Sequence, residues 1–174
     1  MYDDIFNDKD MEKLQEELKS QKKTITTAES CTGGLIASMI TEISGSSEIF
    51  NGAIVTYSNE IKEQELKVNK NTIIQHGVVS IEVVQEMLIG VLEKFNADYA
   101  IAVSGIAGPN GGTNSKPVGT VAIGVMQSDR REKIKIYNFA GNRKEIQLQS
   151  AKIALKEILK FICKKPWQIN LNSL

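Results

Sequence analysis

The feature that most constrains this chain is a change of period within residues 24–43. Residues 24–28 are rich in β-branched side chains and read as a strand. Leu35, Ile36, Met39, Ile40 and Ile43 then recur at helical spacing. Between the two stands Glu29-Ser30-Cys31-Thr32-Gly33-Gly34. A strand that feeds a helix through a short turn belongs to layered α/β architectures. The hydroxyl of Ser30 falls where a helix start leaves backbone N–H groups unpaired and partly positive. Two glycines inside a first turn weaken a helix, so a bare backbone there must serve something, such as close approach of a ligand.

The rest of the chain repeats the alternation. Helices are predicted over 10–22, 35–43, 58–66, 71–75, 81–95 and 143–164, and strands over 24–28, 49–57, 99–104, 118–126 and 133–139. Residues 99–104 are nearly all apolar, as in a strand buried on both faces. The last two strands flank a polar turn and read as a hairpin. The pattern predicts one domain over 1–174: a three-layer α/β/α sandwich with a mixed, mostly parallel sheet. Residues 1–9 and 166–174 are expected to be loose, with Trp167 the candidate anchor of the second.

Composition narrows the partners. Lys plus Arg and Asp plus Glu each total 21, so the formal net charge is zero. That argues against a nucleic-acid partner held by a basic surface. No apolar run approaches a membrane span, and the acidic start is unlike a signal peptide. Two distant cysteines, Cys31 and Cys163, fit a reducing compartment, so a cytoplasmic location is expected. A single histidine, His76, gives no multi-histidine metal set, and no metal or cofactor is expected.

Several residues could carry chemistry, each with a plainer alternative. Ser30 is either a nucleophile or an N-cap. Lys62 follows the predicted strand end at Tyr57-Ser58-Asn59-Glu60 and could serve as a base if burial lowers its pKa; otherwise it is a solvated lysine. His76 could pair with a serine or simply end a helix. Residues 104–112 leave a strand at Ser104 and place four glycines within 105–112, which suits a backbone nest for an anion. The start of that loop, Gly105 to Gly108 with Ala107, is apolar enough to be ordered. Arg143, after Gly141-Asn142, is a phosphate clamp or a surface arginine. Glu29 orients a base, binds a ribose hydroxyl or bonds to loop backbone. Cys31 is a second candidate nucleophile or a small buried filler.

Taken together, Glu29-Ser30-Cys31-Thr32-Gly33-Gly34, Gly45-Ser46-Ser47, Tyr57-Ser58-Asn59-Glu60-Ile61-Lys62, His76-Gly77-Val78-Val79-Ser80, Ser104-Gly105-Ile106-Ala107-Gly108-Pro109 and Lys116-Pro117-Val118-Gly119-Thr120 resemble the CinA C-terminal domain family in content and order. The similarity runs from about Lys22 to the last helix. The stand-alone form of that domain is nicotinamide-nucleotide amidohydrolase, and longer members carry a further N-terminal domain that is not expected here. The resemblance implies hydrolysis of the carboxamide of nicotinamide mononucleotide by a Ser/Lys dyad, in pyridine nucleotide salvage. Carried onto this chain, Ser30 is the nucleophile, Lys62 the base and Tyr57 an assistant. Thr32, Gly33 and Gly34 would supply oxyanion donors. Ser46, a reserve nucleophile, joins Ser104, Gly105, Ala107, Gly108 and Arg143 as expected substrate contacts. Departures are small: Ile61 where alanine is common, Ser104 where threonine also occurs, Asn142 where aspartate is frequent. A homo-oligomer is plausible for a small enzyme. The rival readings are a non-catalytic nucleotide-binding module and a competence-related interaction domain.

Overall fold

A computed structural model describes residues 2–163. Helix α1 (Asp8–Gln21) precedes strand β1 (Ile25–Glu29) and helix α2 (Leu35–Thr41). A short 3₁₀ turn (Ser46–Glu48) leads into β2 (Phe50–Val55), followed by α3 (Asn59–Leu66), α4 (Lys70–His76) and α5 (Ile81–Phe95). Then come β3 (Tyr99–Gly105), β4 (Thr120–Gln127), β5 (Glu132–Asn138) and α6 (Arg143–Cys163). The element types match the periodicity throughout, and most ends move by one or two residues, as fraying termini do.

The five strands form one sheet in the order β2-β1-β3-β4-β5. β1 pairs in parallel with β2 and β3, while β3–β4 and β4–β5 are antiparallel. β5 therefore runs with β1, β2 and β3, and only β4 opposes them. Alternation sends side chains to two cores. Ile101, Val103, Val121 and Ile123 face α1, α2 and α6. Ala28, Ala100, Ala102, Ala122 and Met126 face α5 and the end of α3. The second face is made of small residues, so α5 lies close. Gly90 on α5 serves a second close approach, to α3: a Cβ there would stand 2.1 Å from the Leu66 carbonyl oxygen. Any larger residue would push α5 off α3 and open a core whose buried side chains each contribute roughly 1.5–3 kcal/mol.

One expectation is corrected at the N-terminus. Residues 1–9 read as loose, yet Phe6 is buried in the first core. Asn7 caps α1 by accepting from the N–H groups of Lys9 and Asp10, and Asp10 returns the bond to the Asn7 N–H. Lys152, buried on α6, donates to the Phe6 carbonyl at 2.9 Å and to Asp3 at 2.6 Å. A capping box spelled with Asn and Asp hides well in an acidic, polar stretch. The expected loose tail at 166–174, with Trp167, lies outside the described residues. Among the described residues no helix is long and apolar enough to cross a membrane.

Candidate active site

The strand order creates the site. From β1 the chain crosses to β2 on one side, and from β3 it turns to β4 on the other. Loops leaving the carboxyl ends of β1 and β3 therefore part and leave a crevice, the usual position for α/β sites. A cavity of about 310 Å³ opens there. Ser30 and Cys31 after β1 line it, with Tyr57, Asn59 and Lys62 from the β2–α3 segment. Val78 and Val79 close one wall. Ser104 to Gly108, Asn110 and Gly111 form another, and Arg143 reaches in from α6.

Ser30 and Lys62, 32 residues apart in sequence, meet with Nζ 3.2 Å from Oγ. Ser58 caps α3 by accepting from the Ile61 N–H, which fixes where Lys62 leaves the helix. The Lys62 side chain is only 1% exposed. Its other hydrogen-bond partner is the Thr56 carbonyl oxygen, 2.7 Å away. Burial disfavours the ammonium form and pulls the pKa from 10.5 down to about 8. In the neutral form Nζ can donate one N–H to Thr56 and offer its lone pair to the Ser30 hydroxyl. That is the arrangement a general base for a serine requires.

Glu29 resolves to its plainest reading. Fully buried, it accepts from the Thr27 and Thr32 hydroxyls at 3.3 and 2.7 Å and from the N–H groups of Gly34, Ile36 and Ala37 at 3.0, 3.1 and 2.9 Å. Its carboxylate fills the start of α2 and locks the turn beneath Ser30. This changes the role of Thr32, Gly33 and Gly34, none of which lines the cavity. The Gly34 N–H is taken by Glu29 and the Gly33 N–H by the Ser30 carbonyl. The glycines answer to backbone shape instead: φ is +64° at Gly33 and +98° at Gly34, the left-handed region where side chains are strained. The chain needs them to fold around the Glu29 carboxylate.

Ser46 is also displaced from its expected place. It precedes β2, at the amino end of the strands, whereas Ser30 follows the carboxyl end of β1. Its hydroxyl donates toward the Ile40 and Ile43 carbonyls and accepts from Gln15. That is a connector between α2 and α1, with no part in the cavity.

Tyr57 stands at the mouth, 60% exposed, and its hydroxyl meets an Arg143 N–H rather than the dyad. Arg143 also donates to the Gly108 carbonyl at 2.7 Å, so it ties two walls of the cavity together and has further N–H groups to spare. Ser104 donates to the Val78 carbonyl at 2.8 Å, and Gly105, Ala107 and Gly108 lie along the wall as expected. The Cys31 thiol is buried, and desolvation pushes its pKa up to about 12, which leaves it unreactive. His76 ends α4 with Nδ1 3.4 Å from Glu82, outside the cavity.

The sequence reading missed Thr56, Asn59 and Gln147. Gln147, one turn beyond Arg143 on α6, donates to the Cys31 carbonyl at 2.7 Å. Its i,i+4 spacing from Arg143 was the available signal.

Comparison with known proteins places the chain in a family. The CinA C-terminal domain model matches residues 7–162. A CinA-like protein of Thermotoga maritima is 45% identical over 158 residues, or 90% of this chain, and the match spans 38% of that relative's length. Nicotinamide-nucleotide amidohydrolase PncC of Escherichia coli K12 is 46% identical over 147 residues, covering 84% of this chain and 89% of that protein. Among solved structures, the competence/damage inducible protein CihA of Agrobacterium tumefaciens superposes with TM-score 0.85 at 35% identity, covering 88% of this chain and 93% of its own. A competence damage-inducible protein A from Klebsiella pneumoniae gives 0.86 at 32%, covering 91% and 98%. With its sheet order, its crevice and these relatives in agreement, the chain belongs to the CinA C-terminal domain family.

Proposed function

We propose that this chain hydrolyses the carboxamide of nicotinamide mononucleotide to nicotinate mononucleotide and ammonia, in pyridine nucleotide salvage. The observation that carries the reading is the contact of buried Lys62 Nζ with Ser30 Oγ at 3.2 Å. The substrate is taken from the Escherichia coli relative, whose name states that activity.

Neutral Lys62 accepts the Ser30 proton as Oγ attacks the carboxamide carbon. The tetrahedral oxyanion collapses, the C–N bond breaks, and protonated Lys62 passes its proton to the leaving nitrogen, which departs as ammonia. Water then attacks the acyl-enzyme, giving a proton to Lys62 that returns to Ser30. A pKa of about 8 leaves about a tenth of the molecules at pH 7 with a free base, against a few in ten thousand for an ordinary lysine. The loop from Gly105 to Gly108 and the spare N–H groups of Arg143 suit the phosphate, with Tyr57 holding Arg143 at the mouth.

The test is ammonia release with chromatographic detection of nicotinate mononucleotide. Wild type should turn over, and Ser30→Ala should lose at least about a thousandfold in kcat. Wild-type protein that binds the nucleotide and releases no ammonia would instead be a nucleotide-binding module.

A further inference from the structure

The glycine-rich loop that leaves β3 is tied to the rest of the molecule at two points. Apart from the turn that closes at Thr120, and among the described residues, the hydrogen bonds joining residues 107–118 to other segments come from two side chains. Arg143 holds the near end at the Gly108 carbonyl. Lys116 holds the far end: its Nζ donates to the His76 carbonyl at 2.8 Å and to the Val79 carbonyl at 2.7 Å. Other polar contacts of the stretch stay inside it, where Thr113 bonds with Ser115 and Lys116.

The segment that receives Lys116 is the fixed partner. Val79 is 2% exposed and packs in the second core, and Ser80 caps α5 by accepting from the Val83 N–H. Ser104 donates to the Val78 carbonyl, between the two that Lys116 takes. Gly77 gives the ammonium room. Its φ of +77° and ψ of 156° lie in a region that essentially only glycine adopts, and a Cβ there would stand 3.2 Å from Lys116 Nζ. The movable partner is the loop, which brings Ala107, Gly108, Asn110 and Gly111 to the cavity. Glycine loses much conformational freedom when it is fixed, so whatever fixes this loop sets how often it is ready to bind.

We propose that Lys116 is a positioning residue: it pins the 107–118 loop against the 76–79 segment and keeps that wall of the cavity formed before the nucleotide arrives. The inference rests on the reading of this loop as part of the grip on the nucleotide. Lys116 does not line the cavity, so it acts through the loop. It makes no hydrogen bond to Ser30 or Lys62, whose contacts come from β1 and α3. Its loss should weaken binding and spare the chemical step.

The decisive variant is Lys116→Met, which removes the donors and keeps an unbranched side chain. If the pinned loop falls to about a tenth of the population, KM for nicotinamide mononucleotide should rise about tenfold, with kcat held within about threefold. The rate at which a fluorophosphonate probe labels Ser30, followed by mass spectrometry, reads the dyad and should stay within about twofold. The nucleotide concentration that halves this rate should rise in step with KM. Lys116→Arg keeps a cation with several N–H donors and should restore both constants. An unchanged KM and protection constant in Lys116→Met would overturn the proposal. So would kcat and labelling that fall together with the melting temperature and are not rescued by arginine. Protection needs no turnover. A wild type that the nucleotide protects but that releases no ammonia would refute the amidohydrolase reading, while a tenfold loss of protection in Lys116→Met would still support the latch.

Discussion

Glu29 and Lys62 flank Ser30, and both are ionisable side chains withdrawn from water, yet they are provisioned in opposite ways. Glu29 receives hydrogen bonds from two hydroxyls and three backbone N–H groups, so its negative charge is met from every side. Lys62 has only a carbonyl and a hydroxyl. Burial with full compensation makes a structural charge; burial with too few acceptors makes a base. The difference lies in the partners, since the depth of burial is the same.

Removing the under-served group should produce the largest effect and split activity from stability. Lys62→Met should abolish ammonia release, by about a thousandfold or more, because among the described residues no second basic side chain hydrogen-bonds Ser30. The folded pKa of Lys62 lies below its ordinary 10.5, near 8, so between those values the unfolded chain binds more protons and stability rises with pH. Below about pH 8 the ammonium is present in both states and its burial costs on the order of 3 kcal/mol. Urea unfolding at pH 7 should therefore find Lys62→Met more stable than wild type by about 1–3 kcal/mol after its lost hydrogen bonds are counted. In wild type, kcat/KM should climb with pH to about 8 and then level. A flat profile from pH 6 to 9, or a less stable Lys62→Met, would break the contrast.

The saturated group should behave the other way. Glu29→Gln turns an acceptor into an NH₂ that faces N–H donors, and should cost about 2–4 kcal/mol in urea unfolding. Any loss of turnover should follow from a loosened turn. A variant as stable as wild type would mean that the five bonds do not hold the start of α2.

The smallest effect belongs to Ser46→Ala. Its hydroxyl joins α2 to α1 away from the cavity, so stability should fall by about 1 kcal/mol and kcat should stay within twofold. A large loss of turnover would return Ser46 to the list of nucleophiles.

The α/β layering was legible in the residues, as were Ser30, Lys62, Tyr57 and Arg143 as candidates near strand ends and helix starts. Their pairing into one site came from the resemblance to a family. Local physics could not tell a cap from a nucleophile at Ser30, because that depends on Lys62 arriving from 32 residues away. Gly33 and Gly34 suggested a ligand, whereas their need is for positive φ around a carboxylate whose partners no spacing reveals. Ser46 shared a motif with the site and not its end of the sheet. Gln147 escaped because a polar residue on an amphipathic helix looks solvated until the opposite carbonyl is seen.

The span from Cys31 to Gln147 has a meaning in time as well as space. A ribosome delivers β1 early and α6 late, so Ser30 and Lys62 exist in the nascent chain long before the helix that closes the crevice. Local pairing can begin as the first strands emerge. The Cys31 carbonyl, by contrast, meets its side-chain donor only after 116 further residues have been made. Completion of the crevice, whose lining includes Arg143 of α6, is thus tied to a late event in synthesis.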